Sequence, residues 1–501
     1  TLMAAWREEL YSKGVRVRIG RWNIESSPIA ILIDFKSFIR EKDNILKQLW
    51  ESYNVDSLSG QWDYIEPVLF GHAAGVVIAS FVEHFGAQTK KVVAHLHEWM
   101  AAAASLYLRD NAPYVATVFS THATVMGRCI AGNRLPLYND LHKFNADELA
   151  RQFNVMAKHS LEKAGATYAD AFLTVSDITA NECRYLLGRE VTRITPNGFE
   201  NGFVPAEAKL AELRSASRRK LIDVARATWG YDFAEDTLIV ASSGRYEFHN
   251  KGLDVFLESL KQLATSNINR DVLAVIAVPA ATTGAREDLA QHLADSTKVI
   301  DPAQKRYLTH HLEAEAWDQV SQSIEGSILS TSASRVKVLF VPTYLNGNDG
   351  IFNMPYYDML AGVDLTIFAS YYEPWGYTPL ESVAYGVPTV TTTLAGFGMW
   401  VAKQAEHKGV DIVRRDDYNT REVVLQITDI LKHYMDMNAE EYAEARKGAM
   451  EISNTALWKR LFKEYKSAYE EAIDNSVSRT NRVIIDGGDR AEQINFVRQQ
   501  L

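Results

Sequence analysis

At 501 residues the chain exceeds what one hydrophobic core usually organises, which predicts two α/β domains of about 200 residues each, with a cleft between them. Apolar residues make up 47% and charged residues 23%, with no low-complexity run, a composition that excludes a disordered or fibrous chain. The formal charge of −10, from 53 basic and 63 acidic residues, is spread without blocks and argues against nucleic acid and anionic membrane as partners.

The chain opens on TLMAAWREEL, which reads as a helix and lacks the charged and apolar regions of a signal peptide. Its first residue is Thr1, so the natural start is expected upstream. Short β-branched runs then alternate with longer helical patterns, the signature of a parallel sheet wound with helices. Strands are expected at 30–35, 91–94, 114–119, 171–175 and 191–195, the last ending in the turn signal Pro196-Asn197-Gly198. A polar helical stretch over 206–228 leads into a second series at 238–241, 272–278, 336–341, 365–369 and 389–392. Residues 283–335 carry helix formers without a clear strand and read as a helical insertion suited to subunit contacts. Near the end, Leu457, Leu461, Phe462, Tyr465, Ala468 and Tyr469 give one apolar helix face, and beyond Asn475 a polar, weakly ordered tail is expected. The domains are thus 1–230, 231–450 and a final helix with tail over 451–501. No apolar stretch reads as the roughly 20 residues that span a bilayer, so a soluble cytoplasmic protein is expected. Two cysteines, Cys129 and Cys183, suit buried reduced thiols rather than a disulfide framework or metal site.

Three constellations fall at carboxyl ends of predicted strands, where α/β sheets bind ligands. The first is Ser370-Tyr371-Tyr372-Glu373-Pro374-Trp375-Gly376-Tyr377-Thr378-Pro379-Leu380-Glu381. Thr378 as N-cap, Pro379 in the first turn and Glu381 three residues after the cap form a capping box. The same strand-loop-helix, bent at Gly376, also aims backbone N–H groups at a diphosphate while Glu373 and Glu381 grip sugar hydroxyls; the local pattern leaves both readings open. The second, Gly244-Arg245-Tyr246-Glu247-Phe248-His249-Asn250-Lys251-Gly252, offers Arg245 and Lys251, either as surface cations or as charge-assisted donors to a diphosphate leaving group. With two cations and a helix N-terminus available, no metal and no cofactor are expected. The third joins His95-Leu96-His97-Glu98-Trp99 to Ser120-Thr121-His122-Ala123-Thr124. His95 and His97 lack a third ligand for zinc, and His97 is read as facing a sugar or as an ordinary hydrogen-bonded histidine.

Together these motifs resemble the eukaryotic-type glycogen synthases of glycosyltransferase family 3, as do Gly20-Arg21-Trp22-Asn23-Ile24-Glu25 and Gly396-Phe397-Gly398, over about residues 14–469. The resemblance implies an α/β protein of two Rossmann-like domains facing a deep cleft, the glycosyltransferase B-type fold. It implies a retaining transferase that moves glucose from UDP-glucose to the non-reducing end of an α-1,4-glucan such as glycogen. By carry-over, Arg245 and Lys251 bind donor phosphates, Glu373 contacts the transferred glucose, and Tyr356 stacks on the base. Trp375, Gly376, Tyr377, Thr378 and Glu381 complete the donor side. His97, beside the anomeric carbon, joins Glu98, His122 and Asn197 on the acceptor side. Diphosphate departure would be stabilised electrostatically, the acceptor hydroxyl attacking the same face of an oxocarbenium-like glucose. A homo-oligomer, a tetramer among the options, is the expected assembly. Alternatives are a transferase with another donor or a small acceptor, and a catalytically silent glucan-binding protein of the same fold.

Two departures stand out. Family members begin with a strand and glycine-rich donor loop, whereas Gly14-Val15-Arg16-Val17 arrives too early for that element to precede it. Animal and fungal members also carry an arginine-rich helix that binds glucose 6-phosphate; here Met437-Asn438-Ala439-Glu440-Glu441-Tyr442-Ala443-Glu444-Ala445-Arg446-Lys447 is mostly acidic. A bacterial-like regulatory region without that activation is expected.

Overall fold

The β-branched runs expected as strands form two parallel sheets, each in its own unit of the chain. A computed structural model describes residues 2–404 and 407–481. Among the described residues, 2–130, 140–196 and 461–481 form one unit; 131–139 and 197–460 form the other. The helix Glu207–Trp229, which the sequence reading assigned to the first domain, therefore packs with the second unit, where Leu221, Val224 and Ala225 join its core.

In the first unit, β1 (Arg16–Arg21) and β2 (Ile29–Asp34) make an antiparallel hairpin. The strand expected at 30–35 thus pairs locally rather than joining the parallel sheet: the short polar connection lets the chain fold straight back. Then β3 (Val93–His97), β4 (Ala116–Thr121), β5 (Ala171–Thr174) and β6 (Arg193–Ile194) form a four-stranded parallel sheet in sequence order. The helix Trp62–His84 packs beneath it and is long and apolar enough by composition to cross a membrane, which the sequence reading had not noticed. Its Tyr64, Val68, Leu69, Ala79 and Val82 lie in the core beside Phe119, Leu161 and Phe172, so burial within the unit accounts for its hydrophobicity. On the opposite face, Ala468 and Ala472 of the helix Trp458–Thr480 pack on Ala116, Val118, Ala171 and Leu173, and the alanines on both sides admit a close helix. Arg479 ties that helix to Asp170 at 2.9 Å. The polar tail beyond lies outside the described residues.

The second unit holds a six-stranded parallel sheet of order β11-β8-β7-β12-β13-β14, from β7 (Leu238–Ser243), β8 (Val272–Ala277), β11 (Val336–Val341), β12 (Leu365–Ile367), β13 (Thr389–Thr392) and β14 (Val410–Val413). Every residue of β7, β8 and β11 is buried, as strands covered by helices on both faces require. The edge strand β14 was not anticipated; it is short, with Asp411 and Ile412 half-buried, and so lacks the apolar run of a central strand. Residues 283–335 are also not purely helical: β9 (Thr282–Ala285) and β10 (His310–Leu312) pair antiparallel. Buried Arg286 anchors this excursion, its guanidinium donating to the Lys305 and Leu308 carbonyls at 2.9 Å and pairing with Asp288 at 2.7 Å. Residues this polar pair through the backbone, which periodicity does not report.

Candidate active site

In the second unit the strand order turns outward in both directions from the β7/β12 pair, the switch point at which open parallel sheets bind ligands. The loops after these two strands are the Gly244–Gly252 and Ser370–Glu381 segments, and they are locked together. The Asn250 carbonyl accepts from the Tyr371 and Tyr372 N–H groups at 2.9 and 3.1 Å. Gly252, at φ +72°, lies so close that a Cβ there would stand 1.8 Å from the Ala369 carbonyl oxygen; only glycine meets both demands. Arg415, 3% exposed, donates its Nη1 to the same carbonyl. Across this lock Lys251 Nζ pairs with Glu373 Oε2, with side chains only 14% and 12% exposed. Arg245 stands out at 67% exposure, 3.1 Å from Glu247.

The helix expected after Gly376 runs over Tyr377–Ala384, but Gly376 itself, at φ +114°, is its N-cap, and no side chain caps it. The anticipated box between Thr378 and Glu381 does not form, because the helix begins one residue before Thr378. Glu381 instead accepts from the Tyr357 hydroxyl at 3.0 Å, and burial raises its pKa above the ordinary carboxylate value. Of the two local readings, capping is thereby removed as the reason for this glutamate. Trp375 is 3% exposed, packed edge-on against Phe397 and Trp400. Tyr377 is exposed on its ring and donates its hydroxyl to the Gly198 carbonyl at 3.2 Å.

Beside this lock opens a pocket of about 390 Å³ lined by Gly244, Arg245, Tyr246, Tyr344, Tyr356 and Thr378, among others. Tyr356 hydrogen-bonds Ser243 at 2.8 Å through its hydroxyl. Tyr344, 75% exposed, was missed by the sequence reading, as were Tyr357, Asn250 and Arg415. Tyr344 and Tyr357 stand in no recognisable spacing with the motifs; Asn250 lies within the second motif, but it acts through its backbone carbonyl, a role its side chain does not announce.

In the first unit the third constellation sits in β3 itself, not after it: the strand extends to His97. Residues two apart on a strand share a face, so the His95 and His97 rings stack, centroids 4.1 Å apart. His95 bonds the Ser120 hydroxyl at 2.7 Å and the Tyr469 hydroxyl at 3.0 Å. His97 Nδ1 lies 3.0 Å from His122 Nε2, across the β3/β4 register. Glu98, whose expected acceptor-side role left its partner open, accepts from the His122 N–H at 2.9 Å. Asn197 begins the longer segment of the second unit, and its neighbour Gly198 packs on Trp458. Neither Cys129, half-buried, nor Cys183, buried, forms a disulfide. Among the described residues no group of three or more His, Cys, Asp or Glu side chains is placed to hold a metal ion.

Burial depresses the imidazoles from 6.5, His122 to about 4 and His95 to about 3, with His97 shifted the same way. Below about pH 6.5 the unfolded chain then binds more protons than the folded one, so the stability from this cluster is full above that pH and is lost as pH falls towards 4 and 3. Thermal unfolding from pH 7 to 4 should show this decline, and His122→Asn should flatten it; an unchanged slope would remove the cluster as its source.

A glycogen synthase family profile matches residues 2–301 and 303–498. The glycogen [starch] synthase of Neurospora crassa is 30% identical over 527 residues, covering 93% of this chain and 74% of that protein. Isoform 2 of Saccharomyces cerevisiae is 30% identical over 540 residues, covering 93% and 76%. Among solved structures, the catalytic domain of starch synthase IV from Arabidopsis thaliana bound to ADP and acarbose aligns with TM-score 0.50 at 14% identity over 94% of this chain and 95% of that one, a likeness of fold. Motifs in order along the chain, strand-end loops at the switch point and a match over nearly its whole length lead to one conclusion: the chain belongs to the glycogen synthase family, as a B-type-fold glycosyltransferase.

Proposed function

We propose that this protein transfers glucose, with retention of configuration, from UDP-glucose to the non-reducing end of an α-1,4-glucan. The Lys251–Glu373 pair at the β7/β12 switch point carries the reading. It sets a cation for phosphate and a carboxylate for sugar hydroxyls side by side, each the other's counterion until a donor separates them. Arg245, exposed at the mouth of the 390 Å³ pocket, adds the second cation for the leaving diphosphate, and Tyr356 and Tyr344 supply aromatic surface for the base. Charge developing on the departing diphosphate is then met by fixed donors, in a site that calls for no metal. The leaving phosphate takes the proton of the attacking hydroxyl, since no protein carboxylate is assigned as base. His97 and His122, neutral above about pH 6.5, serve the glucan side as hydrogen-bonding groups rather than charges. A cytoplasmic homo-oligomer belongs to the same proposal, and light scattering of the purified chain tests its assembly.

Initial rates of transfer to glycogen from UDP-glucose and ADP-glucose, each with EDTA present, test the function. Transfer that prefers UDP-glucose and persists in EDTA is expected; transfer from neither donor, or only with added metal, would overturn it.

Regulation is predicted separately. The helix Ala439–Thr455 begins with a capping box between Asn438 and Glu441, and its only basic residues are Arg446 and Lys447. Arg446 donates its Nε to the Gly386 carbonyl at 3.0 Å. With no arginine cluster to bind a phosphate, glucose 6-phosphate should leave the rate unchanged; strong stimulation in a titration would refute this.

A further inference from the structure

The loop Thr121–Val125 that carries His122 is held by three glutamates from three different elements, Glu98 half-buried and Glu162 and Glu182 fully buried. Glu98 follows β3 and accepts from the His122 N–H at 2.9 Å. Glu162, fully buried on the helix Met156–Tyr168, accepts from the Thr121 hydroxyl at 2.6 Å through one oxygen and from the Val125 N–H at 2.9 Å through the other. Glu182, also fully buried, accepts from the Thr124 hydroxyl at 2.7 Å. Four residues of the loop, Thr121, His122, Thr124 and Val125, are thus held by four carboxylate oxygens of three glutamates.

Two backbone features lie at this convergence. Glu98 adopts φ +67°, a left-handed conformation costly for a residue with a Cβ, and is kept there by its N–H on the Ser120 carbonyl at 2.8 Å. Directly after Glu182 the helix Asp177–Glu182 widens into a π-turn over Cys183–Leu187, a distortion that concentrates at functional sites. Space is reserved as well: a Cβ on Gly127 would lie 2.1 Å from Glu182 Oε2. A carboxyl cluster buried in this way is dearer than an apolar core of the same volume, so ordinary packing does not explain it.

We propose that Glu98, Glu162 and Glu182 are positioning residues for the transfer reaction: they fix the Thr121–Val125 loop and thereby hold His122 against His97. The inference rests on the transferase reading for its effect on rate, but not for its effect on geometry. Burial pushes the Glu162 carboxyl up to about 8, so it favours the protonated form near neutrality, and raises that of Glu98 above the ordinary carboxylate value. Glutamine, which copies that form in shape and keeps the carbonyl acceptor, is therefore the conservative replacement.

The test uses the full chain carrying Glu162→Gln, Glu162→Ala or Thr124→Val, with thermal unfolding to establish that each is folded. Two quantities are read: kcat and KM for glucose transfer, and the imidazole ¹⁵N signals of His97 and His122 in the free protein. Glu162→Gln should keep both near wild type. Glu162→Ala should lower kcat by about 100-fold with little change in KM for UDP-glucose, the loss that a displacement of about 1 Å brings, and should shift the His122 and His97 signals. Thr124→Val, which removes the Glu182 contact together with the bond the same hydroxyl accepts from the Gly127 N–H at 2.9 Å, should do the same to a smaller degree and stands in if Glu162→Ala does not fold. Folded Glu162→Ala and Thr124→Val proteins with unmoved imidazole signals and wild-type kcat would overturn the proposal. So would a Glu162→Gln protein as impaired as the alanine variant. If the wild type transfers no glucose, the function proposed above fails, while the imidazole signals still decide whether the glutamates position the loop.

Discussion

Replacing Arg245 with alanine is expected to lower kcat by about 10²–10³-fold, the loss typical of removing one preorganised donor to developing charge. The folded protein should barely register the change. The side chain is 67% exposed and its ion pair to Glu247 at 3.1 Å is of the surface kind, worth about 0–1 kcal/mol. Glycogen affinity should likewise hold, because the guanidinium is assigned to the donor's diphosphate. Steady-state rates, thermal unfolding and glycogen co-sedimentation measured on one preparation separate the cases. A matched loss of turnover, glycogen binding and melting temperature would mean misfolding and would remove Arg245 from the chemistry.

The Lys251–Glu373 pair should behave in the opposite way. Both side chains are largely buried, so Lys251→Met or Glu373→Gln alone leaves the partner unmatched and should cost about 3 kcal/mol of stability as well as most of the activity. Combining the two removes both charges. The double variant should regain most of the lost stability, since a buried pair replaced by neutral groups of similar size is often tolerated, yet should transfer no glucose. Denaturant unfolding of the two singles and the double forms a cycle that isolates the pair. Recovery of activity in the double variant would show that the two charges serve the fold alone.

These two residues also mark the boundary of what the sequence discloses. Lys251 and Glu373 stand 122 positions apart, and each was legible by itself as a loop residue at a strand end; their pairing is a product of the β7–β12 adjacency, which no local pattern encodes. Central strands such as β7 and β8 were legible because burial on both faces forces continuous apolar runs. The edge strand β14 and the β9–β10 hairpin were not, since strands exposed on one side or carried by backbone pairing alone keep polar residues. Thr378 and Glu381 illustrate how spacing misleads: the three-residue interval of a capping box is present, but Gly376 starts the helix early and Tyr357 takes the carboxylate. At His95 and His97 the error was a boundary only, and extending β3 by three residues turns an unexplained His-x-His into two rings stacked on one strand face. Glu162 and Glu182 gave no signal at all, because a glutamate on a helix reads as solvent-facing until tertiary structure buries it.

The most direct test of retaining α-1,4 transfer is the product itself. Incubating the protein with maltoheptaose and UDP-glucose labelled with ¹³C at the anomeric carbon, then reading the new linkage by NMR, reports donor use, stereochemistry and position in one spectrum. An α-configured label joined to O4 of the non-reducing terminal glucose is the predicted result. A β-configured linkage, attachment at another hydroxyl, or release of the label as free glucose alone would contradict it.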